Sequence, residues 1–562
     1  MKNITKTLMI VGVMTLLISS CQPAQNIEIN ESVEVTIPTE SHDEILAESE
    51  DDSSNWWVDA VFYEIFVRSF KDSDGDGIGD FQGIIQQLDY LNDGDPETHD
   101  DLGVTGIWLM PINPSPSYHG YDVTNYFDVN RDYGTLDDLK QLIEEAHARG
   151  IHVIMDLVIN HTSNRHPWFI ESINPDSGFH DWYVWAEKNP STPGPWGQNA
   201  WYKESNDLYY YAIFWSGMPD LNYENAQVNT MIFNISRFWL EKIGMDGFRV
   251  DAARYLFADG ASQQDTKETI AWFKTWRSIV KESDPSAFTV GEVWTNVQAQ
   301  ARYGGGTGFD SLFMFDTSEA ILNGIYAPSP KRIMGAYQDA IYYFPDQEFS
   351  TFLSNHDQQR VLSFYKGDIE KAKMAAFIYL TGPGIPFIYY GEEIGMTGNK
   401  PDENLRTPMQ WTGEPLAGFS SATNWRPINS DYKKKNVFLQ NSDPESLLSL
   451  YRDLITLRNT YSAIRTGEYI PLESSCKFIY PILRVEDESA ILTIVNIGNN
   501  SEENCTLSLV ESPLIGTYYL ETIFGEGEYL PMAFTGSGSL DLYQIKSPIE
   551  SGEMLILSLI QN

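Results

Sequence analysis

The spacing of apolar positions changes several times along this chain, and the changes mark its elements. From Trp56 onward, short apolar runs alternate with stretches in which apolar residues recur every three or four positions. The runs are Val61–Val67, Gly106–Ile112, His152–Asn160, Gly247–Ala252, Phe288–Trp294, Ser311–Asp316, Phe349–Asn355 and Pro386–Gly391. His152–Asn160 is almost continuously apolar, as a strand buried on both faces should be. Thr135-Leu-Asp-Asp138 reads as a capping box opening a helix that ends at Gly150. Val228–Ile243 and Thr266–Glu282 are two further helices. Strands alternating with helices in this way predict an α/β fold, a (β/α)8 TIM barrel, built from residues 55–160 and 218–462.

Two stretches break the alternation. Residues 161–217, after the third strand, are rich in Trp, Tyr, Pro and Gly and predict an inserted subdomain. On a barrel it would lie over the carboxyl ends of the strands, where active sites are built. From 463 to 562 the pattern becomes alternating strands and turns, as in Ala490–Asn496 and Glu553–Leu559. A C-terminal all-β sandwich domain is expected there.

The start of the chain differs again. Lys2 and Lys6 precede an apolar run from Leu8 to Ile18, too short to span a bilayer comfortably. Ile18-Ser-Ser-Cys21 resembles the end of a bacterial lipoprotein signal. The expectation is a signal over residues 1–20, lipid on Cys21, and export with a lipid anchor at the cell membrane or outer membrane. Residues 21–54 hold ten acidic side chains and no Lys or Arg, which predicts a disordered spacer.

Charge narrows the function. The chain carries 79 acidic and 37 basic residues, a net charge of −42. That excludes a phosphate-binding basic face, so no nucleic-acid partner is expected. A neutral substrate and a monomer fit better. Cys476 and Cys505 both lie in the β domain. Export permits them to pair, and the sequence leaves that pairing open.

Polar residues then recur at the carboxyl ends of the strands. Asp156 and Asn160-His161 close the third, Arg249 and Asp251 the fourth, Glu292 the fifth, and Asn355-His-Asp357 the seventh. Arg249 and Asp251, two apart on a strand, share a face, so the cation should hold the carboxylate ionised. Taken alone, that is a structural ion pair. Four strands supplying one polar ring make core packing a poor explanation, because buried charge is costly unless paired. Asp251, Glu292 and Asp357 would surround one pocket with His161 and His356. Paired carboxylates in a barrel pocket suggest glycoside hydrolysis. Asp251 would be the ionised partner, and Glu292, flanked by Val290 and Val293, the proton donor.

The ordered motifs Asp156-Leu-Val-Ile-Asn-His161, Met218-Pro-Asp-Leu-Asn222, Gly247-Phe-Arg-Val-Asp251, Gly291-Glu292 and Asn355-His-Asp357 resemble the α-amylase family of glycoside hydrolases. The resemblance runs from about Trp56 to the end. It implies that Asp251 is the nucleophile, Glu292 the acid and then the base, and Asp357 the transition-state stabiliser. It gives Arg249 the orientation of Asp251, His161 and His356 the sugar hydroxyls, and Tyr121 a stacking place under the sugar. The mechanism would retain anomeric configuration.

Met218–Asn222 places the chain between the oligo-1,6-glucosidase and neopullulanase branches, and Arg406-Thr-Pro-Met-Gln-Trp411 also looks like the oligosaccharide-cleaving branch. Ala252 resembles the α-amylases, and on it rests the expectation of endo cleavage of α-1,4 bonds in starch and maltodextrins. The alternative is an oligosaccharide α-glucosidase, an oligo-1,6-glucosidase or a glucanotransferase. Arg254 stands where a lysine is common in α-amylases and is carried over as a substrate contact. Tyr255 replaces a common histidine whose carbonyl helps bind an inter-domain calcium, leaving Asn160 as the matched ligand.

A second metal motif follows the first strand. Asp72-Ser-Asp-Gly-Asp-Gly-Ile-Gly-Asp80 alternates carboxylates with glycines, as a Ca2+ loop does. Asp72, Asp74, Asp76, Asp80 and the Ile78 carbonyl are the expected ligands.

Overall fold

The computed structural model describes residues 55–258, 262–306 and 308–561. The signal, Cys21 and the acidic spacer lie outside the described residues.

Eight parallel strands form the central sheet: β1 (Phe62–Ile65), β2 (Gly106–Leu109), β3 (His152–Leu157), β4 (Gly247–Val250), β5 (Phe288–Gly291), β6 (Ser311–Leu312), β7 (Ser350–Phe352) and β8 (Ile385–Tyr389). The order around the sheet is β7-β8-β1-β2-β3-β4-β5-β6. A parallel bridge from Phe313 to Ser350 joins β6 to β7 and closes the ring. This is the TIM barrel that the alternation predicts. Its lower interior is packed by aromatic rings: Phe62 stacks on Phe387 with centroids 4.4 Å apart and on Phe288 at 5.3 Å.

Local chemistry sets the boundaries. Thr135 accepts from the Asp138 N–H while Asp138 accepts from the Thr135 N–H, a complete capping box opening helix Leu136–His147. Thr266 caps Lys267–Ser283 in the same sense. Helix Ala226–Arg237 continues as a π-helical turn, Phe238–Ile243, and stops at Gly244 in the left-handed region. One glycine is required by close approach. Gly247 opens β4 at φ +149°, and a Cβ there would lie 1.9 Å from the Phe288 carbonyl oxygen.

The sixth strand is shorter than its sequence suggests. It ends at Leu312, and Phe315–Tyr326 is a helix. Phe313 and Phe315 still turn inward, but as a corner, with Phe315 stacked on Trp294 at 4.5 Å. The apolar run therefore reports burial there, not extension.

Within residues 161–217, three short strands (Trp185–Ala186, Tyr209–Tyr211, Trp201–Lys203) form an antiparallel sheet. Phe169, Trp182, Tyr183 and Tyr210 are buried around it. Trp168 stacks on Tyr126, and Trp185 on Phe169. Trp196 and Trp215 remain half-exposed.

The C-terminal residues form a six-stranded antiparallel sheet facing a three-stranded one, which matches the expected all-β domain. Tyr480, Ile491 and Ile556 pack into the same core as the barrel helices. Arg458 and Arg484 are buried at that seam. Arg458 donates to the Leu380, Gly382 and Gly384 carbonyls, and Arg484 to those of Gly467 and Thr381 and to Gln347. Cys476 and Cys505 form a disulfide.

Candidate active site

Arg249 is the hub of the ring at the carboxyl ends of the strands. It stands in register with Asp156 on β3, and β4 carries it on the same face as Asp251. Its Nη1 donates to both oxygens of Asp156 at 2.7 and 2.8 Å and to Asp251 Oδ1 at 2.8 Å. Its Nη2 donates to Glu292 Oε2 at 2.7 Å. The side chain is 2% exposed and lies over the Trp108 ring. One planar cation thus bridges Asp251 and Glu292 and fixes both. Glu292 also accepts the N–H of Ala252 at 3.2 Å. Ala252 sits at φ +49°, a left-handed turn that a non-glycine residue takes only when its surroundings hold it there.

A second chain of contacts sets the other wall. Tyr121 donates to Asp156 at 3.0 Å and lies 2.6 Å from His356 Nε2. His356 Nδ1 is 2.6 Å from Glu64, which projects from β1. His161 Nε2 lies 3.1 Å from the Tyr121 carbonyl. Asp357 accepts from Arg406 Nη2 at 2.7 Å, and Arg406 Nε donates to the His356 carbonyl. Asp402 stands 3.8 Å from the same guanidinium.

Burial and charge then separate the carboxyls. Burial pushes Asp251 up to about 6, against the pull of Arg249. This corrects the sequence expectation that Arg249 alone would hold Asp251 low. The cation does lower it, but it is shared among three carboxylates, and loss of water outweighs its share. Burial raises Glu292 as well, again opposed by Arg249 and reinforced by Asp251 and Asp357. Asp357 goes the other way. Burial works against it, yet His356, Arg406, Lys400 and Arg249 hold it down at about 2. Burial disfavours charge on His356, but Asp357 and Glu64 raise it overall. Burial drops His161 to about 4, so it is neutral. Asp251 and Glu292 are thus raised and Asp357 is depressed, the kind of separation between neighbouring carboxyls that glycoside cleavage uses.

These groups open into a cavity of about 720 Å³. Tyr121, His161, Asp251, Glu292 and Asp357 line its depth, and Trp196, Phe214, Trp215, Tyr255 and Trp294 its aromatic sides. His356 is 1% exposed and acts on the wall through Tyr121 and Asp357. Arg254 also lines the cavity, but Asp265 grips its guanidinium at Nε and Nη2, and its Nη1 donates to the Trp294 carbonyl. Asp265 thus orients the guanidinium that holds the Trp294 carbonyl. Asn160 donates to Asp220 at 2.8 Å, and its Oδ1 is buried without a partner.

Three contributors are missing from the sequence reading. Glu64 shows only as a lone charge within Phe-Tyr-Glu-Ile. Arg406 opens a stretch marked for specificity but has no assigned partner. Asp402 carries no signal at all.

The acidic loop after β1 folds as successive tight turns. Asp72 accepts the N–H groups of Asp74, Gly75 and Gly77. Burial tends to raise Asp72, but the Ser420 hydroxyl and those N–H groups bring it below its usual range. Carboxylate oxygens of Asp72, Asp74 and Asp80 lie within 4.8 Å of one another. An all-oxygen set on a glycine-jointed loop suits a hard cation of the Ca2+ kind. Asp76 is outside that group and accepts the Ile78 N–H instead. The loop also holds the pocket wall: Gly77 accepts from the Trp425 N–H, and Trp425 stacks on Tyr118 at 5.5 Å.

Comparison with known proteins agrees with this geometry. Residues 64–467 match the family described as the alpha amylase catalytic domain. Alpha-amylase 3 of Dictyoglomus thermophilum is 40% identical over 451 residues, covering 79% of this chain and 85% of that protein. The oligo-1,6-glucosidase of Heyndrickxia coagulans is 33% identical over 528 residues, covering 80% and 93%. The crystal structure of the alpha-amylase from H. orenii superposes with a TM-score of 0.77 at 40% identity, covering 89% of this chain and 99% of that one. With two bridged carboxyls, a third held by Arg406 and this match along the barrel, the chain belongs to the α-amylase family of glycoside hydrolases.

Proposed function

We propose that this chain is a retaining α-glucosidase of short α-glucans, removing glucosyl units from oligosaccharide ends. The observation that carries this is the cluster of charge that lines one part of the cavity. Arg406 is fixed on Asp357 with Asp402 beside it, and such paired charge next to the sugar that Asp357 would hold would limit the glucan chain's extension past it. A volume of about 720 Å³ suits a few sugar rings. The aromatic residues, including Trp294 two positions past Glu292, lie on the leaving-group side.

Asp251 attacks the anomeric carbon while Glu292 gives its proton to the departing oxygen, producing a covalent glycosyl-enzyme. Glu292 then takes a proton from water, or from a sugar hydroxyl, as that oxygen attacks the same carbon and frees Asp251. Asp357 binds the sugar hydroxyls as charge develops on the ring. The choice between water and sugar decides between hydrolysis and transfer. The Asp72–Asp80 loop would hold Ca2+ and steady Trp425 and Tyr118.

A second reading is endo cleavage of α-1,4 bonds. It rests on Ala252 beside the nucleophile and on the Dictyoglomus relative named an alpha-amylase. Product analysis on maltotriose, isomaltose, soluble starch and a maltoheptaoside blocked at its non-reducing end separates the two. The first reading expects glucose from the free oligosaccharides and no turnover of the blocked one. Internal cutting of the blocked chain would establish the second.

We further propose export with a lipid on Cys21, supported by the Lys2–Cys21 pattern and by a disulfide suited to an oxidising compartment. Labelled fatty acid should enter the wild-type chain and not Cys21→Ser.

A further inference from the structure

At the opposite end of the barrel, three ligand-type side chains meet. His147 is the last residue of helix Leu136–His147. The turn that follows folds back on itself: the Ile151 N–H donates to the Ala146 carbonyl, and Gly150 takes φ +74°. That return sets His152, the first residue of β3, beside His147. Asp246 arrives from the residue before Gly247, 94 positions further along the sequence than His152.

The geometry points to a zinc site formed by His147, His152 and Asp246. His147 Nε2 lies 2.8 Å from Asp246 Oδ2, and His152 Nδ1 lies 3.4 Å from Asp246 Oδ1. All three ligand atoms fall within 4.8 Å of one another. Ligands at the usual Zn–N and Zn–O lengths of a tetrahedral ion stand about 3.3 Å apart, so a small shift of two side chains admits the metal. His152 Nδ1 is buried and has no hydrogen-bond partner, an unmet donor or acceptor that a metal would satisfy. Two imidazoles and one carboxylate select a borderline ion such as Zn2+ over Ca2+ or Mg2+.

The supporting groups are also in place. Asp246 Oδ2 accepts the Val153 N–H at 2.6 Å, which orients the carboxylate as a ligand's outer partner does. Trp56 stacks on His152 with centroids 3.7 Å apart and fixes the ring, while Trp56 Nε1 is tied to the Ser286 carbonyl. Three protein ligands leave a fourth position for water. The site lies at the amino ends of the strands, remote from Asp251, so its work is to pin the helix end, β3 and the approach to β4 together. An ion held only by the native fold stabilises it by mass action.

The test uses the whole chain, stripped of metal and returned to saturating Ca2+ so that the Asp72–Asp80 loop is filled. Zn2+ titrated by calorimetry should bind one per chain and raise Tm by a few degrees. His147→Gln, at a half-exposed position that tolerates change, should weaken binding at least tenfold. Co2+ in place of Zn2+ should give the visible absorption of a tetrahedral complex in the wild type and lose it in that variant. Equal zinc affinity in the His147→Gln/His152→Gln double variant, or no stoichiometric zinc in the wild type, would overturn the assignment.

Discussion

Two sets of buried arginines make opposite use of the same side chain. Arg249 faces Asp156, Asp251 and Glu292. Burial works to strip its proton, but those carboxylates hold it well above its usual value. Arg458 and Arg484, at the seam between barrel and β domain, meet carbonyl oxygens and one amide. Burial lowers them to about 9 and about 10. At the seam, neutral carbonyls take up most of the donors and no carboxylate is drawn in. In the pocket, three carboxylates compete for one cation, and two of them, Asp251 and Glu292, are the proposed nucleophile and acid. The difference between glue and catalyst here is the character of the acceptors.

That comparison can be broken most sharply at Asp251. Asp251→Asn should lower kcat by at least about 10⁴-fold on any α-glucoside while the fold is kept. Near-normal turnover would sink the assignment of the nucleophile.

Arg249→Leu should cost both functions at once: about 10²–10³-fold in kcat and about 3–5 kcal/mol of stability, since it strands buried carboxylates. Arg484→Met should cost about 2–3 kcal/mol, for its abandoned carbonyls, and leave kcat unchanged. Paired denaturation and rate measurements on the two variants decide whether the contrast is real.

Next in size is pH. Since Asp251 must be ionised to attack, kcat/KM should fall about tenfold per unit below about 6. The sign for stability is the reverse. A carboxyl whose native pKa is raised keeps its proton where the unfolded chain has lost it, so its contribution fades as pH rises from roughly 4 to 6. Asp251→Asn should therefore gain in Tm relative to the wild type across that window. A flat Tm difference would remove burial as the cause of the shift.

The smallest effect lies away from both arginines. Removing Ca2+ from the Asp72–Asp80 loop should lower Tm by a few degrees and raise KM modestly through Trp425 and Tyr118. Chelation without effect on either would leave the loop a plain turn.

The strands were legible because burial on both faces writes itself as an apolar run, and Thr135 to Asp138 stated its own capping box. The three carboxyls and Arg249 were legible for a related reason: charge at the end of such a run needs an explanation. Glu64 was not, because its partner His356 lies 292 residues away and only the closed barrel brings them together. Arg406 and Asp402 come from a loop after β8 that follows no period. The corner at Phe313–Phe315 was misread because inward-facing aromatics look alike in a strand and at a bend. The direction for Asp251 was misread because sequence shows the neighbouring cation and not the missing water.

The bridge that Arg249 makes between Asp251 and Glu292 has a bearing on the whole reaction cycle. In the proposed cycle Asp251 begins with the negative charge and Glu292 with the proton. Once the glycosyl ester forms, Asp251 is neutral and Glu292 has become the anion. The guanidinium touches both, so it sees the same total charge before and after, merely moved from one terminal nitrogen to the other. On those roles each turnover is electroneutral within the pocket: the proton that leaves on the aglycone is returned by the incoming water, and no separate ion need enter.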